Sequence, residues 1–263
     1  MLMHIPRSVT AVLEERLLFN FRVAPEKLAT QLPVPWLAPL AINGFGVLSF
    51  CILRLKEVTI WPLPGTVIGW RTISCAYRCG VLDASGGSPQ PAVWIVDRLS
   101  DLPIISKLSP WLLNDTLPVI RPRIQHDGDR IEVEIDFPDT QKLFKAKLEP
   151  ARDGEFRSEI FRTMQEFSTF IHAGITSYAA SIFGDALTKI DLIKEDPVYR
   201  PYSAQVDFSW LDSTWRNANL KLDSAVRAHG GTYRWNYRGL VPLIRGPERL
   251  FQELSLPETR TTS

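Results

Sequence analysis

Apolar and polar side chains alternate with a period of two through most of this chain, and that pattern decides its fold class. In RLLFNFRVA, Leu17, Phe19, Phe21 and Val23 fall on one face, while Arg16, Asn20 and Arg22 share the other with Leu18. In DRIEVEIDF, Ile131, Val133, Ile135 and Phe137 oppose Arg130, Glu132, Glu134 and Asp136. SAQVDFSWL repeats the pattern, with Ala204, Val206, Phe208 and Trp210 against Ser203, Gln205, Asp207 and Ser209. A strand with one face on a core and the other on water or a polar lumen requires this alternation. Further strands are predicted near 46–60, 67–82, 91–98, 118–126, 142–149 and 188–195. Asp127-Gly128 and Gly86-Gly87 lie between strands, where tight hairpins need positive φ. The fold class expected is α+β, mostly antiparallel β.

Helix is the minority. PEKLATQL (25–32) starts with proline, which suits a first helical turn. One long amphipathic helix is predicted over GEFRSEIFRTMQEFSTFIHAG (154–174), where Phe156, Ile160, Met164, Phe167 and Ile171 line one face and Gly174 ends it. This helix is expected to pack on, or plug, the β-structure. WLAPLAINGFGVLSFCIL (36–53) carries no charge, but Pro39, Asn43, Gly44 and Gly46 break it into a loop and a buried strand, so no membrane span is expected. The start lacks the basic and apolar regions of a secretory signal. With no linker or repeat, residues 1–250 read as a single domain followed by a polar tail, 251–263.

Thirty basic side chains against 29 acidic ones give no bias towards nucleic acid or an anionic membrane. Cys51, Cys75 and Cys79 lie in apolar surroundings and read as buried free thiols, which fits a reducing, cytoplasmic setting. The four scattered histidines make no zinc-like spacing, so no metal is expected. Phosphate-binding glycine loops, the nucleophile elbow and the HExxH helix are all missing.

Two blocks carry a family likeness. LLFNFRVAPEKLATQLPVP is an aromatic strand ending in arginine, followed by a short helix and Leu-Pro-x-Pro. PAVWIVDRLSDLP joins a Pro-Ala strand to Leu-Ser-x-x-Pro. In this order they resemble the acetoacetate decarboxylase-like superfamily over residues 10 to 150. SFCILRLKEV, GWRTISCAYRCGV and EFSTFIHAG look like its uncharacterised bacterial YqjF-like branch. The resemblance implies a barrel- or cone-like β domain enclosing a pocket for a small organic acid or carbonyl compound. It makes Arg22 the match to an active-site arginine. It also implies chemistry with the protein's own amine and no cofactor.

The chain departs from the family where that chemistry resides. After Pro103, where a decarboxylase has two adjacent lysines, stand Ile104 and Ile105, and Arg71-Thr72 stand where the family has a glutamate. Ordinary acetoacetate decarboxylation at that position is not expected. Lys107 is the nearest substitute amine, set against a plain solvent-facing lysine. Lys145 and Lys147 share the polar face of one strand, pointing either into a lumen or to water. Arg22, Arg71, Trp94, Arg98, Ile104 and Ile105 are the candidate substrate-binding residues, each arginine weighed against a structural ion pair. Three functions compete: a carbon–carbon lyase-like enzyme acting on an oxo acid, a non-catalytic binder that kept the pocket, and, behind these, a purely structural oligomerising module. A homo-oligomer is a further expectation.

Overall fold

The computed structural model describes residues 7–61, 69–139, 141–195, 197–210, 215 and 218–243. Its strands are β1 (Ser8–Val23), β2 (Leu37–Pro39), β3 (Ala41–Ile42), β4 (Phe45–Trp61), β5 (Trp70–Asp83), β6 (Gln90–Ser100), β7 (Arg121–Asp127) and β8 (Arg130–Asp136). They continue with β9 (Lys142–Pro150), β10 (Thr176–Ala180), β11 (Ala186–Lys194), β12 (Val198–Ser209), β13 (Lys221–His229) and β14 (Thr232–Pro242). The helices are α1 (Pro25–Ala29), α2 (Pro103–Leu113) and α3 (Met164–Ala173). The tail at 251–263 and the end of the expected domain lie outside the described residues.

All fourteen strands belong to one sheet. Seven of them form a closed circuit of pairings, β4–β5–β6–β10–β11–β14–β1 and back to β4; only β6–β10 is parallel. From β1 a second path leaves through β13, β12, β9 and β8 to β7.

The fork lies on β1. Its first half, Ser8–Val12, pairs with β14, and Arg16–Arg22 pairs with β13. β13 and β14 therefore follow one side of β1 in turn, broken at Gly230-Gly231, with φ of +81° and +89°. A Cβ on Gly231 would sit 2.8 Å from the Glu195 carbonyl oxygen, so a side chain is excluded there on both counts. At this break β14 turns into the circuit and β13 into the outer path.

The main core fills the space between the circuit and the outer strands. Leu17, Phe19 and Phe21 of β1, with Phe50 of β4 and Tyr77 of β5, meet Ile131, Val133 and Ile135 of β8 and Phe144 of β9. The Phe144 ring lies 4.8 Å from Phe19 and 4.4 Å from Phe50. Lys147 of β9 turns the other way and pairs with Glu132 at 3.0 Å on the outer surface.

The long helix predicted over 154–174 is corrected to ten residues, Met164–Ala173. Side chains capture the preceding amides before they can join a helix. Asp223 accepts from the amides of Glu159 and Ile160, and Ser158 Oγ from those of Ile160 and Phe161. Thr163 then caps the helix, its hydroxyl accepting from the Glu166 amide at 3.1 Å. Phe167 and Ile171 of α3 do pack on Leu18, Cys51 and Val226. The longest helix is instead α2, with Ile105 directed into the cluster around Leu13, Leu55 and Tyr233.

Candidate active site inside the strand circuit

The circuit encloses a cavity of about 150 Å³ to which all seven of its strands contribute. Leu53, Leu55 and Val58 of β4, Val93 and Ile95 of β6, Ile190 and Leu192 of β11 and Trp235 of β14 make its walls largely apolar. Ile105 and Leu113 of α2 add to them. A smaller hollow of about 30 Å³ adjoins it, lined by Ser49, Lys194 and the Phe170 and Ile171 side of α3. Arg16, Arg78, Val93 and Gly174 belong to both hollows and form the neck between them.

At this neck the chemistry concentrates. Arg16 is 1% exposed; its Nε donates to Cys51 Sγ at 3.3 Å and its Nη1 to the Tyr233 hydroxyl at 3.1 Å. Arg78 Nη2 is buried with no hydrogen-bond partner among the described residues, and so is the Tyr199 hydroxyl. Lys194 ends β11 and donates to the Ile171 carbonyl oxygen. No described carboxylate lines either hollow, and none pairs with Arg16, Arg78 or Lys194. Among the described residues no carboxylate offsets the positive charge of this cluster.

Burial and this charge reset the ionisation of the amine and thiol. Loss of water, and then repulsion from Arg16 and Arg78, pull the Lys194 ammonium down to about 6, so its amine is free of its proton at neutral pH. Burial pushes the Cys51 thiol up, but attraction to Arg78 and Arg16 outweighs it and the net shift is downward. Desolvation also lowers Arg78, yet a guanidinium starts so high that it keeps its charge. Cys75 and Cys79 are pushed up by burial, and all three cysteines are free thiols.

The residues singled out from sequence fall in different places. Arg98 and Ile105 line the large cavity, Arg98 holding Asp115 at 3.2 Å. Ile104, the other residue at the missing lysine pair, is 43% exposed. Lys107 is exposed on the outer side of α2. Arg22, at the far end of β1, pairs with Glu159 and lies 5.7 Å from the Phe45 ring, lining neither hollow. Arg71 points outward and meets Glu14 at 3.4 Å, and Trp94 packs in the main core.

Sequence reasoning passed over Arg16, Cys51, Arg78 and Lys194 as a group, although each left a trace. Leu18 between Arg16 and Asn20 marks the second face of β1 as buried too. Arg78 interrupts the apolar run CAYRCGV, and Lys194 shares a strand face with Ile190 and Leu192. A charge on an apolar face has to meet a partner or a cavity.

No protein-family model and no curated protein matches the chain. Solved structures do match. An acetoacetate decarboxylase-like enzyme from Sphingomonas wittichii RW1 superposes with a TM-score of 0.58 at 12% identity, covering 91% of this chain and 93% of its own. An acetoacetate decarboxylase from Legionella pneumophila gives 0.59 at 11%, over 89% and 85%. The enduracididine biosynthesis enzyme MppR, complexed with pyruvate, gives 0.55 at 14%, over 92% of each chain. The chain therefore has the acetoacetate decarboxylase-like fold.

Proposed function

We propose that the cavity binds a small organic acid bearing a carbonyl group, and that Lys194 is the amine that attacks it. The observation that carries this reading is a half-buried lysine lining the small hollow beside Arg16 and Arg78, with no described carboxylate in that lining. Arg78 and Arg16 would hold the acid group, since a buried guanidinium with an unpaired Nη2 suits a carboxylate oxygen. The neutral Nζ adds to the carbonyl carbon, and the adduct takes up one proton from solvent and loses water to leave a protonated imine. In a 3-oxo acid that imine accepts the electron pair of the C–COO⁻ bond as carbon dioxide departs. The resulting enamine takes a proton on carbon, and water then releases the ketone and restores the amine. Arg98 and Ile105 remain candidate substrate contacts through their place in the wall. A fold neighbour complexed with pyruvate supports the ligand class, and the motif order supports placement in the YqjF-like branch.

One observation favours a second reading, a non-catalytic binder. No described carboxylate lines either hollow to shuttle protons for the amine. Borohydride reduction with acetoacetate or pyruvate, followed by peptide mass mapping, separates the two. An adduct on Lys194 that disappears in Lys194→Met supports the enzyme. Ligand-dependent thermal stabilisation without an adduct supports the binder. An adduct on Lys107 would move the chemistry to α2.

A further inference from the structure

We infer that the acid carries an apolar tail of branched-chain or aryl size, its head at the arginine neck and its tail in the large hollow. This rests on the head-group assignment above. The two hollows differ in kind. The small one, about 30 Å³, has room for little more than a head group beside Lys194, whereas the large one, about 150 Å³, lies on the other side of the neck.

Several polar side chains of the large hollow away from the neck are already engaged by the protein. Thr72 Oγ1 donates to Asp101 at 2.8 Å, Ser177 Oγ donates to the Ile190 carbonyl at 3.1 Å, and Arg98 holds Asp115. Tyr233, at the border, takes the Arg16 hydrogen bond. Water in this hollow would face mostly Leu, Ile and Val side chains and would find few partners. An acid as short as pyruvate or acetoacetate leaves that space empty or wet. A hydrocarbon branch fills it and removes apolar wall from water.

The neck fixes which end goes where. A Cβ on Gly174 would come within 2.9 Å of Val93 Cγ2, so the passage between the hollows is already tight on that side. The unpartnered Arg78 nitrogen lies at this passage. A carboxylate reaching it places whatever is attached in the large hollow.

The test is borohydride trapping on the intact protein with pyruvate, 4-methyl-2-oxopentanoate and phenylpyruvate, read as the concentration giving half-maximal adduct. Three added carbons should lower that concentration by about tenfold or more from pyruvate to 4-methyl-2-oxopentanoate. Leu192→Trp, which narrows the large hollow, should abolish the advantage, read as the ratio of the half-maximal concentrations for pyruvate and 4-methyl-2-oxopentanoate. Equal or better trapping of pyruvate by the unmodified protein overturns the inference. Should no oxo acid give an adduct, the imine reading fails by itself, and the tail is judged by thermal shifts with acetate and 4-methylpentanoate. A larger shift from the branched acid upholds it, and equal shifts overturn it.

Discussion

Glu15 and Arg16 are neighbours on one strand, both buried and both charged, and they face opposite sides of β1. Glu15 looks into the layer between circuit and outer strands. There its carboxylate lies 2.8 Å from Arg227 Nε and 3.0 and 3.1 Å from His126 Nε2, with Arg54 3.9 Å away. Arg16 looks into the cavity, where its companions are Arg78, Lys194, a thiol and tyrosine hydroxyls. The first cluster balances charge inside the protein and knits β1, β7 and β13 together. The second leaves charge unbalanced around open space. A buried charge that the fold neutralises is structure; one that no described side chain neutralises marks a candidate ligand site.

Removing members of each cluster should break or sharpen this contrast. Glu15→Ala strands Arg227 and His126 and should cost about 3 kcal/mol, seen as a fall of roughly 10 °C in Tm. A fall under about 2 °C would erase the distinction between the clusters. Lys194→Met should act in the opposite direction. The lysine is pulled down from its ordinary 10.5 to about 6, so the unfolded chain binds a proton that the native protein lacks throughout that window. Stability of the unmodified protein therefore declines as pH falls from about 10.5 to about 6, and this site adds no further loss below that. The variant should lack that slope and melt about 5 °C higher at pH 7, roughly 2 kcal/mol. Melting curves between pH 6 and 9.5 would show it.

Arg78→Met removes a charge that no described carboxylate pairs. Its Tm should stay within about 3 °C of the parent, while stabilisation by 4-methylpentanoate disappears. If the acid still stabilises the variant fully, Arg78 is not its anchor. The smallest effect should come from Arg54→Ala, which deletes the distant, partly exposed member of the Glu15 cluster. About 0.5 kcal/mol is expected by chemical denaturation.

The strands were legible both where period two is strict and where short apolar runs are bounded by turns. The alternating segments at 16–23, 130–137 and 203–210 fall in β1, β8 and β12, and 46–60, 91–98, 142–149 and 188–195 match β4, β6, β9 and β11, all within a few residues. β13 and β14 escaped because their course depends on lying against β1, some two hundred residues earlier. The first half of the predicted long helix failed for a related reason. Its apolar stripe is genuine, but Asp223, on a distant strand, takes the amides that the helix needed.

The site was half legible. Arg16 and Arg22 sit on the same face, and the family motif draws attention to Arg22. Position along the strand separates them. Arg16 falls where the circuit closes, Arg22 at the end where Glu159 arrives. Lys194 is unremarkable at the end of its strand until closure through β10, β11 and β14 brings it to the small hollow beside Arg16 and Arg78. The sequence offers Lys107, Lys145 and Lys147 as substitute amines and passes over Lys194, whose place beside the arginines depends on that ring closure.

The alternation along β1 also limits how this protein can vary. Side chains point to opposite sides at successive residues, so a one-residue slip ahead of Glu15 would exchange the two neighbours. A carboxylate would then enter the chamber and neutralise its arginines, while a guanidinium would be driven against phenylalanines. Hairpin loops such as 84–89 can gain or lose residues without that penalty. In descendants of this chain, length changes should therefore collect in the loops and spare the sixteen residues of β1.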